Sequence, residues 1–300
     1  MHDPMPSTPA GEVVALALGA GGARGLAQIG VIEALQARGL QVGAIAGSSS
    51  GALVGGAFAA GRLAELSDWL RGTNRAGMLR LLDPGFGRPA LFTGSRLVRA
   101  LREVVGEPRI EELPVDFTAV AVDLVRQREV WLRHGDLWDA VRASFAIPGV
   151  FTPFEVHGRE LVDGGLLAPL PITATRMSDA HRLFAVDMHG FPKVPSGQPA
   201  RVADVPASPQ PGRLERWMDR RFGDHDASPR PQALGLTEVM ARALDTMQAQ
   251  IARVQMALDP PELLIRIPRD ACQFYEFWRA GELIEVGRHE AEKALDRAGY

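Results

Sequence analysis

Two short apolar runs, Val13–Leu18 and residues 42–46, each end in a cluster of small residues and lead into a helix-like stretch. Runs of that length, apolar throughout rather than alternating, mark parallel strands buried on both faces. After the first run, residues 24–38 carry Leu26, Ile29, Val31, Ile32 and Leu35 and stop at Gly39, as a helix does. The second run passes through Gly47-Ser48-Ser49-Ser50-Gly51 into a helix of small residues that reaches Ala60. Strand, loop, helix, strand, turn and helix in that order predict a three-layer α/β/α fold around a mainly parallel sheet.

Further strands are expected over residues 117–122, 128–132, 160–162, 182–187 and 263–267, with a helix over 136–144. Residues 191–231 are rich in Pro, Gly, Ser and charge and read as a long loop or insertion, with only 214–222 helical. Beyond it Met240, Leu244, Met247, Ile251, Val254 and Leu258 recur at alternating spacings of four and three. A core-facing helix explains that stripe better than a coiled-coil seam, because it lasts under about three heptads. The expected organisation is a flexible N-terminus over 1–11, a main domain over 12–190, the insertion over 191–231, and a helical segment over 232–300 that completes the same domain.

Composition narrows the function classes. Hydrophobic residues make up 46% of the 300 and charged residues 23%, which is ordinary for a globular core. The net charge of -3 gives no electrostatic reason to expect nucleic acid as a partner. With Cys272 the sole cysteine, no internal disulfide forms, in keeping with a reducing compartment. Residues 1–11 lack the cationic and apolar regions of a secretory signal. The apolar stretch over 13–35 is broken by five glycines, Arg24, Gln28 and Glu33, so it makes a poor membrane span. A cytoplasmic location is expected. Transient contact with a membrane surface stays open, though no strongly basic amphipathic helix argues for it. Oligomeric state is not legible.

The turn Gly47-x-Ser49-x-Gly51, between a strand and a helix, has the context of a nucleophile elbow. A serine on so tight a turn sits in a strained backbone, and the positions two before and two after crowd it, so glycine is required there. Among the three serines only Ser49 has glycine on both sides. A plain turn of small residues is the competing reading.

Gly19-Ala20-Gly21-Gly22-Ala23-Arg24-Gly25 follows the first strand. A dinucleotide-binding loop would need a glycine where Arg24 stands and an acid where Ala46 and Gly47 stand, so that reading is weak. An oxyanion hole fits better, since the amides of Gly21 and Gly22 can face a serine on the neighbouring turn. A serine also needs a proton acceptor. Of His2, His134, His157, His181, His189, His225 and His289, only His189 ends an apolar strand. The order Ser49, Asp163, His189 matches an α/β-hydrolase triad, although that fold usually places several strands before its serine.

Together, the glycine loop with Arg24, the Gly47-x-Ser49-x-Gly51 turn and the distant Asp163-Gly164-Gly165 resemble the patatin-like phospholipase family. The stretch Ala140-Val141-Arg142-Ala143-Ser144-Phe145-Ala146-Ile147-Pro148-Gly149-Val150-Phe151-Thr152-Pro153 is similar to the segment that precedes Asp-Gly-Gly in bacterial members, and residues 117–123 to the segment before that. The similarity runs over residues 13–187 and resumes more faintly over 236–295. The resemblance implies a Ser-Asp dyad, with Ser49 as nucleophile, Asp163 as base, and Gly21, Gly22 and Arg24 as the oxyanion loop. It implies hydrolysis of lipid acyl esters, of lysophospholipase, phospholipase A or carboxylesterase type, with no metal and no cofactor. A weakly active or inactive binding or regulatory protein on the same scaffold is the alternative. Three positions depart from the family pattern: Ala20 stands where glycine is frequent, Gln28 where many members have histidine, and Ala168 where asparagine is common. Residues 78–92, with Met78, Leu79, Leu81, Leu82, Phe86, Leu91 and Phe92 among Gly and Pro, are a candidate acyl-chain wall or lid, or an ordinary core-capping segment.

Overall fold

The computed structural model describes residues 13–85, 90–178, 180, 182–192 and 236–300. The expectations for residues 1–11, for nearly all of the insertion and its helix over 214–222, and for part of 78–92 lie outside the described residues. The first half of the chain forms β1 (Val13–Leu18), a 3₁₀ turn (Gly22–Leu26), α1 (Ala27–Ala37), β2 (Gln41–Ser48), α2 (Ser50–Ala59), α3 (Leu63–Gly72), α4 (Arg75–Arg80), β3 (Ala90–Phe92), α5 (Ser95–Val105), β4 (Asp116–Asp123) and β5 (Arg128–Leu132). There follow α6 (Leu137–Ser144), β6 (Gly149–Phe151), β7 (Phe154–Val156), β8 (Arg159–Asp163), α7 (Ile172–Thr175), β9 (Arg182–Gly190), α8 (Leu236–Leu258), β10 (Leu263–Pro268) and α9 (Ala280–Ala298).

Eight strands form one sheet in the order β10-β9-β1-β2-β4-β8-β7, with β5 also on β4. The five strands from β10 to β4 are parallel, and the pairings of β4 with β5, β4 with β8 and β7 with β8 are antiparallel. The chain is thus α/β with a mostly parallel central sheet between helices. Its two faces differ because side chains alternate along each strand. Val14, Leu16 and Leu18 join Ile45, Phe184, Val186 and Ile265 in the larger core, with α1, α2, α6 and α9. Ala15, Ala17, Ala44 and Ala185 make the opposite face, where Leu170, Ile172 and Ala252 cover them. Small residues there let α7 and α8 lie close to the strands.

The apolar stripe on α8 departs from expectation. Met240, Met247, Val254 and Leu258 are exposed rather than facing the core. The helix rests instead on Gln248 and Ala252, which are buried. A surface built of alanines offers no deep groove for a row of large side chains, so the small and polar face of α8 docks. Among the described residues no helix is long and apolar enough to cross a membrane.

Both ends of the described part of residues 78–92 are anchored. Asp83 accepts hydrogen bonds from the amides of Gly94 and Ser95 and from the Thr93 hydroxyl. Strand β3 pairs with β6, and the buried Arg142 guanidinium donates to the Thr93 and Thr152 carbonyls. Burial holds the Arg142 pKa down at about 10.

Candidate functional site

Register brings Ser49 and Asp163 together. On β4, Val120 lies opposite Ser48, the last residue of β2, and Ala121 lies opposite Asp163, the last residue of β8. β5 occupies the other edge of β4 over the same level. Strands β2 and β8 therefore meet end to end along one edge, and the residues at their ends are neighbours. Gly164 sits in that junction, where a Cβ would lie 2.1 Å from the Val120 carbonyl oxygen and 3.0 Å from Ser48 Oγ.

Ser49 has φ 56° and ψ -120°, a left-handed-side conformation that non-glycine residues seldom adopt. Such strain costs on the order of 1–3 kcal/mol and persists only where the surroundings enforce it. Both flanking glycines are required by space. A Cβ at Gly47 would lie 2.5 Å from the Ala52 nitrogen, and one at Gly51 would lie 2.2 Å from the Leu18 carbonyl oxygen. The Ser49 amide donates to Ser144 Oγ at 2.9 Å, and the Ser144 hydroxyl donates to the Val120 carbonyl at 2.6 Å. Neighbouring hydroxyls face elsewhere. Ser48 Oγ donates to the Ala168 carbonyl at 2.6 Å, and Ser50 Oγ is buried without a partner beside Gly25.

Asp163 is 3% exposed. Its Oδ1 accepts the Gly165 amide at 2.6 Å, while Oδ2 is buried and unpartnered. Burial raises its pKa from the ordinary 3.8 to about 7, against the opposing pull of the Ser49 hydroxyl and the Gly165 amide. Ser49 is thus near enough to act on the carboxylate, yet makes no well-formed hydrogen bond to it. Such contacts commonly tighten only when substrate is bound.

The glycine loop lies on the neighbouring strand end. Leu18 pairs with Gly47, so the loop after β1 opens beside the turn after β2. The amides of Gly19 and Ala20 are tied to the Val186 and Pro169 carbonyls, and that of Ala23 to the Phe274 carbonyl. Among the described residues, no backbone hydrogen bond engages the amides of Gly21 and Gly22. Gly22 has φ 57°, and a side chain there would strike the Phe274 ring. Two of the flagged departures prove structural. Gln28 is fully buried and donates to the carbonyls of Gly19 and Gly25, closing the loop at both ends. Ala168 fits a small buried cluster with Ala46, Val120 and Ala174. The Arg24 guanidinium donates to the Arg269 carbonyl at 2.9 Å and to Asp245 on α8.

The structure does not bring His189 to Asp163. Its side chain is 3% exposed, with Nδ1 3.4 Å from Asp187 and Nε2 3.6 Å from Asp245. Among the described residues, no group of three or more His, Cys, Asp or Glu side chains is placed to hold a metal ion. Sequence reasoning assigned no role to Ser144 or Gln28. Ser144 stands in the very stretch that carried the resemblance, but nothing local said that its hydroxyl points at a turn so distant in sequence.

The family model described as patatin-like phospholipase matches residues 16–176, more than half of the chain. An uncharacterized NTE family protein of Mycobacterium tuberculosis is 38% identical, over 94% of this chain and 91% of its own length. The lysophospholipase nte1 of Aspergillus oryzae is 28% identical over 96% of this chain, which spans 18% of that longer protein. Among solved structures, VipD from Legionella pneumophila matches over 97% of this chain and 68% of its own, at 12% identity and a TM-score of 0.47.

Proposed function

The chain belongs to the patatin-like phospholipase family, and from that premise we propose that it hydrolyses lipid acyl esters with Ser49 as nucleophile and Asp163 as the single base. One observation carries the reading: a serine held in a strained turn lies beside a buried carboxylate whose pKa is lifted to about 7. A carboxylate near its ordinary pKa is a weak base at neutral pH, whereas one titrating near 7 is matched to the task.

In the proposed reaction the Ser49 hydroxyl oxygen attacks the ester carbonyl carbon while Asp163 takes its proton. The carbonyl π electrons move onto oxygen, and the free amides of Gly21 and Gly22 stabilise that oxyanion. Collapse of the tetrahedral intermediate breaks the bond to the leaving alcohol, which receives the proton from Asp163. Water, deprotonated by the same carboxylate, then attacks the acyl-serine, and Ser49 leaves with its proton restored. Every step is served by two side chains and two amides, so neither metal nor cofactor enters. Glycerol-based esters with one acyl chain are the first substrates to try, since a relative carries the name lysophospholipase.

The test is direct. Purified protein is assayed on lysophospholipids, phospholipids and p-nitrophenyl esters, and labelled with a fluorophosphonate. Hydrolysis and labelling that both vanish in Ser49→Ala support the proposal. A wild-type protein that neither turns over nor labels would instead be a binding protein on this scaffold.

A further inference from the structure

We propose that Asp245 is a positioning residue for the oxyanion loop, and that α8 thereby belongs to the catalytic assembly although it lies beyond the residues matched by the family model. The inference rests on the hydrolase reading above for its kinetic consequence, but not for its structural one.

The loop over residues 19–25 is fastened on two sides. On the inner side it is tied to the Val186 and Pro169 carbonyls and bridged by Gln28. On the outer side its fastenings are the Phe274 carbonyl on Ala23 and the two partners of Arg24. Between the two sets lie Gly21 and Gly22, the residues whose amides are left to bind an oxyanion. Their direction therefore depends on both sets of anchors, and an amide aimed wrongly by a fraction of its hydrogen-bond length loses most of its value.

Arg24 is the outer anchor that needs a counter-charge. Its side chain is 7% exposed, and a guanidinium stays charged in any protein setting. Asp245 is itself 35% exposed, yet removing it leaves the buried guanidinium without that counter-charge, a larger loss than that of an ion pair with both partners at the surface. Asp245 is the carboxylate that meets it, with His189 Nε2 3.6 Å from the same oxygen. Three residues on, the same helix face carries Gln248. It is buried, and its Nε2 would lie 2.6 Å from a Cβ on Gly165. Two turns further, Gln255 donates to the Leu167 carbonyl at 3.2 Å. One face of α8 thus touches the loop with the oxyanion amides through Asp245 and the loop after Asp163 through Gln248 and Gln255. The face is polar where an ordinary docking helix would be apolar, and its contacts fall on the two loops that must be held in register.

The test compares wild type with Asp245→Asn, which keeps the shape and removes the charge, and Asp245→Ala. Amide hydrogen exchange is read on peptides covering residues 19–26, and kinetics on a p-nitrophenyl ester. The expected result is faster exchange confined to the loop and its outer anchors, with kcat lowered about tenfold and KM within about twofold of wild type. Asp245→Glu should recover part of the kcat. Loop exchange and kcat unchanged in both Asp245→Asn and Asp245→Ala would overturn the proposal. So would faster exchange spread over the whole chain with a matching fall in Tm, since that is the signature of a merely structural role. If the wild type shows no Ser49-dependent hydrolysis, the hydrolase reading falls, and the exchange comparison still decides whether Asp245 holds the loop.

Discussion

Ser144 accepts the backbone amide of Ser49 at 2.9 Å and passes a hydrogen bond on to the Val120 carbonyl at 2.6 Å. One hydroxyl, fully buried at the end of α6, thereby locks the strained turn to the strand beside it. Ser144→Ala leaves a donor and an acceptor buried without partners, a loss of about 1–3 kcal/mol for each orphaned group. The turn also loses one of the contacts that hold it against its own strain. A lower Tm is expected, together with ester hydrolysis reduced about tenfold or more. Wild-type Tm and wild-type rate in Ser144→Ala would show that the turn is held without it.

The three adjacent serines should separate cleanly. Ser49→Ala is expected to abolish hydrolysis and leave the fold intact, because alanine fits the backbone as well as serine does. Ser50→Ala removes a buried hydroxyl that has no partner, so stability should hold and most activity remain. Ser48→Ala loses the bond to the Ala168 carbonyl, worth about 1 kcal/mol, and should keep a substantial fraction of activity. Silencing by Ser48→Ala or Ser50→Ala as complete as that by Ser49→Ala would show that the nucleophile has been placed one residue off.

The raised pKa of Asp163 makes a paired prediction about pH. In the unfolded chain this carboxyl releases its proton near 3.8, and in the fold only near 7. Between those values the folded state holds a proton that the unfolded state has lost, so stability falls as pH rises through the window. The loss is complete above about 7 and is on the order of 4 kcal/mol. Asp163→Asn should therefore be more stable than wild type at about pH 8, with the advantage shrinking toward pH 4. Activity must move the opposite way, since only the carboxylate is a base, and kcat/KM should climb with an apparent pKa of about 7. A rising limb centred near 4, or an Asp163→Asn protein no more stable than wild type at high pH, would falsify this account of the carboxyl.

How much of this was legible in the sequence depends on the range of the interaction. The strands β1, β5 and β10 and the turn at Ser49 could be read locally, because buried parallel strands and tight turns tax each residue where it stands. Residues 24–38 showed their helix but not the 3₁₀ turn over Gly22–Leu26, which bends the loop toward Phe274. The sequence pattern does not single out helix α5 after the lid candidate, and the apolar stripe on α8 faces outward rather than to the core. A periodic apolar face says that a helix is amphipathic, not what it meets, and here the polar face meets the loops after β1 and after Asp163. Gln28 stood out only as a departure from a family pattern, and its use, closing the glycine loop through two carbonyls, is a tertiary fact.

His189 is where a triad and a dyad part. In a triad the imidazole would accept the Ser49 proton and Asp163 would orient it, and losing such a base costs orders of magnitude in turnover. The structure gives the ring a different setting. Its side chain is buried at the end of β9 between Asp187 and Asp245, the carboxylate that also meets Arg24, and the groups acting on Asp163 are Ser49 and Gly165. Asp163→Asn cannot decide the question, since it removes the base in one scheme and the orienter in the other. His189→Ala can. The variant should lose some packing and one neighbour of Asp245, and its kcat/KM should stay within about tenfold of wild type, roughly 1.4 kcal/mol or less in barrier. A fall as deep as that of Ser49→Ala, in a protein that still unfolds cooperatively, would make His189 the base. It would also require the β9 end to move toward Asp163 when substrate binds, which a structure with a phosphonate on Ser49 would show directly.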